Sequence, residues 1–567
     1  MSDSSRGGPA TARPVSFRSR APVGPAACLA TLLLVALLAP ARATGAPGSA
    51  GAALGGSGAD SLAVLLAGPL RGAQVGLLAI SQDSGDTLLA YRAGDRFIPG
   101  SNQKLYTLGA FLLDRGATAR SATRVAARGK VKRSKGPGGT DEVAFRGDLV
   151  LQPCAMPDIV PLLAPGRRGL LDSLAAILRA SGLRRFEGTL WIDRALFADE
   201  APPPGWAHDD FGYSFGAPIN PILANGNSVL VTAREEGGRV RLTLDPGGSP
   251  LDARDAGIAI GSPEAAGWLI PRWVFGTRTL ELTGLVPRGG SVRRGVAVSD
   301  PDSAAAAWFL AALRREGVEV KKAHVAFLPA DRGGDGRAAN RGSRPPPFAT
   351  FAFGDPPSVA GWSAVGEESA RVVAALPSPT VTEEVAVVSQ QSLNMEAEAL
   401  LRLLDPARAG KGRREALREL TRRVAEAGID TNDVAFVDGS GLSPQNLTTP
   451  RALVRWLSHL DSDPRSEGVF RPGLPEPGKP GTLERRFGGL PPGASLRAKT
   501  GSLTNVASLS GYLTTGAGER IVFAFLVNGA RRSLASARDA EDRLVSLLAR
   551  APRERRGAVL PPARVPR

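Results

Sequence analysis

Residues 97–112 read FIPGSNQKLYTLGAFL, and this stretch decides the fold class. Its leucines recur at helical spacing, at Leu105, Leu108 and Leu112. Ser101 and Lys104 stand at the start of this helix, three residues apart. Because residues three apart share a helix face, the Lys104 amine is predicted to reach the Ser101 hydroxyl. A serine hydroxyl needs a base to become a good nucleophile, and a buried lysine with a lowered pKa can supply one. The stretch therefore predicts Ser101 as the nucleophile and Lys104 as its base.

A second motif, Ser392-Leu393-Asn394, is predicted to lie on a turn between two helices. A hydroxyl at Ser392 can relay a proton toward a leaving group, and the Asn394 side chain can hold a substrate amide. We therefore assign Ser392 to catalysis and Asn394 to substrate binding.

A third motif, Lys499-Thr500-Gly501, falls in a strand-like run. The cation and the hydroxyl suit a substrate carboxylate, and Lys499 is also a candidate for the second cation that lowers the pKa of Lys104. Gly501 has no side chain, so a peptide substrate can lie along the strand edge as an added strand. S-x-x-K, S-x-N and K-T-G, in this order and in these contexts, indicate a serine acyl-transfer enzyme.

At this point the sequence resembles the low-molecular-mass class C penicillin-binding proteins, the D-alanyl-D-alanine carboxypeptidase/endopeptidase family. The resemblance runs from about residue 61 to residue 530. Beyond the three motifs it rests on the segments at 99–104, 203–206, 215–218, 225–227, 438–443, 481–483, 498–503 and 509–512.

The resemblance implies an α/β fold, a penicillin-binding transpeptidase-like (serine β-lactamase-like) domain split by a large, mostly β inserted region. It also implies hydrolysis of peptidoglycan stem peptides through an acyl-enzyme, with β-lactams as inhibitors. By matched position, Ser101 is the nucleophile, Lys104 the base, and Ser392 and Asn394 the groups that assist proton transfer and substrate binding. Lys499 and Thr500 would then hold the terminal carboxylate, and the backbone N–H groups of Ser101 and Ser502 would form the oxyanion hole.

The sequence departs from the family pattern at two positions. Met156 stands where the resemblance implies an acidic residue that helps to recognise the cross-linking diamino acid, and Asp158 is near it but not aligned. Pro444 replaces the usual arginine after Gly-Leu-Ser. The preference for the third residue of the stem peptide therefore stays open at this stage.

The N-terminal segment has the pattern of an export signal. Arginines precede an apolar run at 26–38, and Ala41-Arg42-Ala43 is a cleavage pattern, so the mature protein is expected in the periplasm or outside the cell, without a stable membrane span. The expected division of the chain is a signal at 1–43, a flexible lead-in at 44–60, a catalytic domain at 61–120 and 368–550, an inserted region at 121–367 with a mobile loop at 329–347, and a disordered basic tail at 551–567. Strands are predicted near 75–80, 87–91, 495–503, 507–515 and 520–528, and helices near 303–315, 383–388, 395–404, 413–427 and 536–550.

Composition limits the partners, disulfides and cofactors that the protein is expected to have. The net charge of +16 in 567 residues comes from positive residues that are spread along the chain, without a basic stripe broken by stacking aromatics, so no nucleic-acid partner is expected. Cys154 would be alone after signal cleavage, which excludes an intrachain disulfide in the mature protein. The three histidines have no metal-ligand spacing, and neither a metal nor another cofactor is expected.

Two alternatives remain open from the sequence. One is a serine β-lactamase or esterase on the same catalytic core, which would release a penicilloyl group quickly. The other is an exported protein that binds the cell wall and has lost turnover, an interpretation to which the departure at Met156 gives some weight.

Overall fold

The computed structural model describes residues 51–52, 57–156, 158, 168–197, 202–328, 358–404, 412–530 and 534–551. The export signal, the mobile loop at 329–347 and nearly all of the basic tail lie outside these residues and stay predictions. Among the described residues, no helix is both long and apolar enough to cross a membrane.

The first segment of the catalytic domain contains three strands and two helices: β1 (Gly51–Ala52), α1 (Ser57–Ala67), β2 (Gln74–Ser81), β3 (Thr87–Tyr91) and α2 (Gln103–Arg115). β2 and β3 pair as the predicted hairpin. The prediction of a flexible lead-in at 44–60 is wrong for its last residues, because β1 pairs with β3 and α1 begins at Ser57. The Gly/Ala/Ser composition suggested a linker, but α1 buries Leu62 and Leu65 in a core.

In its described residues, the inserted region forms three sheets and two helices. Its elements are β4 (Ala122–Lys135), β5 (Asp141–Gln152), α3 (Leu170–Ala180), β6 (Leu183–Ile192), β7 (Ser228–Glu236), β8 (Arg239–Asp245), β9 (Asp252–Gly261), β10 (Trp268–Trp273), β11 (Thr279–Pro287), β12 (Ser291–Ala297), α4 (Pro301–Arg315), β13 (Glu319–Phe327) and β14 (Arg371–Pro377). The sheets have the orders β13-β6-β5-β4-β14, β10-β11-β9 and β12-β7-β8. The mostly β character is therefore confirmed. The expected boundary at 367 is too early, because β14 pairs with β4 inside the inserted sheet.

The second segment returns to the catalytic domain with α5 (Val381–Gln391), α6 (Asn394–Arg402), α7 (Arg413–Glu426), β15 (Val434–Ala435), β16 (Leu447–Thr448), α8 (Pro450–Ser462), β17 (Ser495–Leu503), β18 (Val506–Thr514), β19 (Arg520–Asn528) and α9 (Leu534–Ala549). Its strands join the first segment in one sheet of order β1-β3-β2-β19-β18-β17. β19 pairs with β2, so the two halves of the catalytic domain are held together by a backbone ladder. β17, which carries the third motif, is an edge strand.

Helices cover both faces of this sheet. Because side chains alternate along a strand, β19 sends Phe523 and Phe525 into the core beneath α1 and α9, and Val522 and Leu526 into the core beneath α2 and α5–α8. Burial on both faces explains why this strand is a nearly continuous apolar run. The arrangement sets the start of α2 against the edge formed by β17 and β18.

Candidate active site

The nucleophile lies in a short 3₁₀ turn, Gly100–Asn102, that leads into α2. Gly100 has φ +52°, and a methyl group added there would lie 3.1 Å from the Ser502 amide nitrogen. The turn is fixed to β18 on both sides, because Ser508 Oγ donates to the Pro99 carbonyl at 2.6 Å and Asn102 Nδ2 donates to Ser510 Oγ at 2.9 Å. Ser101 is thereby held close to the β17 backbone.

The Lys104 amine meets three acceptors. Nζ donates to Ser101 Oγ at 3.1 Å, to Asn394 Oδ1 at 2.6 Å and to the Ser440 carbonyl at 2.7 Å. The side chain is completely buried, and burial lowers the pKa of Lys104 to about 8 against the attraction of nearby carboxylates. The predicted contact between the first serine and lysine is thus present, and burial is the main cause of the lowered pKa.

A buried loop presents the Ser440 carbonyl to Lys104. Glu398 accepts hydrogen bonds from the Gly439 and Ser440 amides, each at 2.8 Å, and Thr107 Oγ1 donates to the Gly439 carbonyl at 2.7 Å. Burial, reinforced by a neighbouring carboxylate, raises the pKa of Glu398. Sequence reasoning missed this loop as part of the site, since a backbone carbonyl has no side-chain signature. The available signal was Glu398, which follows Ser392 by six residues in the predicted helix at 395–404.

The second motif occupies the junction of α5 and α6, as predicted. Ser392 ends α5 in the left-handed region at φ +57°, a strained conformation for a serine that is common at functional sites. Asn394 begins α6, and its amide is engaged at both ends, because Oδ1 accepts from Lys104 and Nδ2 donates to the Phe215 carbonyl at 3.0 Å. In this structure Asn394 therefore orients the lysine and joins the inserted region to the site.

The third motif lies on β17, as predicted. Lys499 is completely buried and donates to Ser392 Oγ at 2.9 Å and to the Thr500 carbonyl at 2.8 Å. Burial, and next the positive charge of Lys104, lowers the pKa of Lys499 well below its ordinary value. A methyl group at Gly501 would lie 3.0 Å from the Ser101 amide nitrogen, so only glycine allows this close approach. Thr500 is half-buried and Ser502 is exposed.

The inserted region also reaches the loop that binds Lys104. Besides the Phe215 carbonyl, Trp206 Nε1 donates at 2.9 Å to Asp438, a buried carboxylate that also accepts from the Gly441 and Ser443 amides at 2.7 Å. The loop at 438–443, whose Ser440 carbonyl accepts from Lys104, is thus held by contacts with both the catalytic domain and the inserted region. Trp206 and Asp438 lie in segments that carry the family resemblance, but the sequence alone assigns neither residue a role.

The departure at Met156 has a structural explanation. The Met156 side chain is only 3% exposed and packs in the catalytic core. Asp158 accepts a hydrogen bond from the Leu170 amide at the start of α3 at 2.8 Å, and burial raises the pKa of Asp158 to about 6. Met156 therefore belongs to the packing of the core, and Asp158 caps a helix in this structure.

Hydrogen bonds connect the predicted residues into two adjoining sets. Lys104 joins Ser101 and Asn394, Lys499 joins Ser392, and the positive charge of Lys104 links the two lysines electrostatically. In the described part of the chain, no group of three or more His, Cys, Asp and Glu side chains is placed to hold a metal ion.

Comparisons with known proteins find relatives that match most of the chain. The chain is 28% identical over 539 residues to a D-alanyl-D-alanine carboxypeptidase of Actinomadura sp., a match that covers 92% of this chain and 90% of the relative. It is 23% identical over 472 residues to the D-alanyl-D-alanine carboxypeptidase DacB of Haemophilus influenzae, covering 81% and 86% of the two chains.

The fold is shared with a solved structure. The crystal structure of penicillin binding protein 4 from Haemophilus influenzae superposes with a TM-score of 0.66 at 21% identity, covering 86% of this chain and 99% of that one. Residues 59–334 and 359–551 match the profile of one peptidase family across both segments of the catalytic domain and most of the inserted region. The chain therefore belongs to the D-Ala-D-Ala carboxypeptidase 3 (S13) family.

Proposed function

We propose that this serine-type peptidase hydrolyses the D-Ala-D-Ala ends or cross-links of peptidoglycan stem peptides through an acyl-enzyme on Ser101. The observation that carries the proposal is the environment of Lys104 Nζ. The Asn394 side-chain oxygen and the Ser440 carbonyl accept hydrogen bonds but carry no proton to return. In the neutral amine they occupy its two N–H bonds, so its lone pair faces the Ser101 hydroxyl. The amine is thereby oriented as a general base before substrate arrives.

Acylation follows from this orientation. Lys104 takes the hydroxyl proton while Ser101 Oγ forms a bond to the carbonyl carbon of the penultimate D-alanine. The C–N bond to the terminal residue then breaks, and the leaving amine takes a proton from the Ser392 hydroxyl, which lies 2.9 Å from the Lys499 amine. The proton that Lys104 took from Ser101 replaces the proton lost by Ser392, so Lys104 is neutral again in the acyl-enzyme. Water attacks the resulting ester, and the proton that it loses restores the Ser101 hydroxyl.

Two backbone amides are placed to stabilise the developing oxyanion. Ala498 donates its N–H away from β18, to the Pro475 carbonyl at 3.0 Å. Because amides alternate along a strand, the Thr500 and Ser502 N–H groups point to the same open edge of β17. The Ser502 nitrogen lies beside the Gly100–Ser101 turn, so the amides of Ser101 and Ser502 converge as donors for the oxyanion.

The same chemistry accounts for inhibition by β-lactams. The four-membered amide of a penicillin presents a carbonyl and a nearby carboxylate, as a D-Ala-D-Ala end does, so it would acylate Ser101. One of the solved relatives, penicillin binding protein 4 from Haemophilus influenzae, is described in complex with a β-lactam and shares the fold with a TM-score of 0.61. The pattern at 1–43 supports export to the periplasm or beyond, where peptidoglycan is found.

Intact-mass spectrometry of the purified protein with a penicillin tests the acylation step. The expected result is one penicilloyl adduct on Ser101, which is absent in Ser101→Ala, together with release of D-alanine from an acylated D-Ala-D-Ala peptide by the wild type. Equal labelling of the wild type and Ser101→Ala would refute the assignment of Ser101 as the nucleophile.

The same experiment separates the alternatives. An adduct that turns over within seconds, without release of D-alanine from the peptide, would favour a β-lactamase or esterase. A stable adduct without peptide turnover would favour a protein that binds the wall and has lost its activity.

A further inference from the structure

The third motif leaves the substrate carboxylate without an accessible cation. Lys499, the cation assigned to it from the sequence, is completely buried and is hydrogen-bonded to Ser392 and to the Thr500 carbonyl. Burial, and next the positive charge of Lys104, lowers its pKa well below the ordinary value. An anionic group arriving at the open edge of β17 needs a positive charge from elsewhere.

Arg538 supplies such a charge. It lies in the second turn of α9, exposed to solvent, and its Nη2 donates to Ser502 Oγ at 2.9 Å. Ser502 is the residue whose backbone amide faces the oxyanion. Among the described residues, this hydroxyl is the hydrogen-bonding partner of the Arg538 guanidinium. Arg538 also lines an open polar pocket of about 500 Å³, whose other charged residues are Glu484, Arg485, Arg486, Asp539 and Asp542.

Two of the acids near Arg538 are paired with another arginine. Arg486 forms salt bridges with Glu541 and Asp542, the carboxylates on the following turn of α9. Among the described residues, no salt bridge joins Arg538 to either of them, although its charge is felt at Glu541, and its guanidinium donates to Ser502 instead.

The strand geometry places a carboxylate between these groups. Thr500 and Ser502 are two residues apart and lie on one side of β17, about 7 Å apart along the strand. A carboxylate that accepts one hydrogen bond from each hydroxyl fits this spacing, because each bond spans about 2.8 Å. A guanidinium can add paired N–H donors to the same group, which a lysine cannot.

We propose that Arg538, together with the Ser502 hydroxyl, binds the free carboxylate of the residue that follows the scissile bond and so favours substrates that present this carboxylate. The inference rests on the proposed function, since it names the part of the substrate that the same site selects. A substrate whose carboxylate is amidated at this point gains nothing from Arg538.

The test compares an N-acylated D-Ala-D-Ala peptide with its C-terminal amide. In Arg538→Gln, the ratio of kcat/KM for the acid to kcat/KM for the amide falls about tenfold, the lower end for a hydrogen bond between charged groups, because the guanidinium is exposed. Arg538→Lys retains part of the ratio. The matched control is Arg485→Gln, which removes the same charge from the lining of the same pocket and leaves the ratio unchanged.

A binding measurement keeps the test independent of turnover. Calorimetry with Ser101→Ala should give tighter binding of the acid than of the amide, and adding Arg538→Gln should remove most of the difference. Equal binding of acid and amide, or a ratio that Arg538→Gln leaves unchanged, would overturn the inference even in an active enzyme. Loss of penicillin labelling and of D-alanine release in the wild type would instead refute the proposed function.

Discussion

Replacing Gly501 with alanine tests whether catalysis depends on the contact between β17 and the nucleophile turn. The added methyl carbon would lie 2.2 Å from Ser508 Oγ, 2.6 Å from the Pro99 carbonyl oxygen and 3.0 Å from the Ser101 nitrogen. The Ser508 hydroxyl can rotate away, but the other two atoms belong to the backbone. Relieving those contacts requires the strand and the turn to separate by about 0.5–1 Å, given the ordinary separation of non-bonded atoms.

The expected loss follows from that separation. A displacement of about 1 Å between reacting groups costs up to about 100-fold in rate, because the oxyanion donors and the nucleophile no longer meet at one point. Overpacking should also lower the free energy of unfolding by about 1–3 kcal/mol. The assay is the second-order rate constant for acylation by a fluorescent penicillin, with circular dichroism to verify that the variant is folded.

Gly488→Ala is the matched control, because nothing lies within 4 Å of an added methyl group at that glycine. It should acylate at the wild-type rate. A folded Gly501→Ala protein that acylates within about threefold of the wild type would refute the argument, since a loss nearer 100-fold is expected if the contact matters.

Three further predictions concern the base and the loop that holds it. Since the pKa of Lys104 is lowered to about 8 and the neutral amine is the active form, acylation should rise about tenfold per pH unit below pH 8 and level off above it, and Lys104→Arg should be inactive; a flat profile between pH 6 and 9 would contradict this. Glu396 raises the pKa of Lys104, so Glu396→Gln should shift the rising part of the pH–rate profile to lower pH. A shift to higher pH would show that the Glu396 carboxylate does not raise the pKa of Lys104. Trp206→Phe removes a hydrogen bond to the buried Asp438 carboxylate and should lower the free energy of unfolding by about 1.5–3 kcal/mol in urea, whereas Trp268→Phe at an exposed site should change it little; equal effects would mean that the bond contributes nothing specific.

The local spacing of residue types was sufficient to predict much of the secondary structure. The hairpin of β2 and β3, the helix after Ser101, and the strands β17, β18 and β19 were all predicted from periodicity and turn residues. Prediction failed where pairing partners are distant. The start of α1 was taken for a linker, and β14 was assigned to the wrong domain, because each is stabilised by contacts with a strand or core that its own composition does not reveal.

The sequence by itself determined the pairing of Ser101 with Lys104, because residues three apart meet on any helix. The tertiary structure decided what surrounds that pair. The Ser440 carbonyl that orients Lys104 lies 336 positions away in the chain, and the Ser392 hydroxyl that meets Lys499 lies 107 positions away. It also decided that Lys499 is buried and that Arg538 reaches Ser502. Such contacts depend on how the sheet and its helices pack as a whole, and no local rule of spacing specifies them.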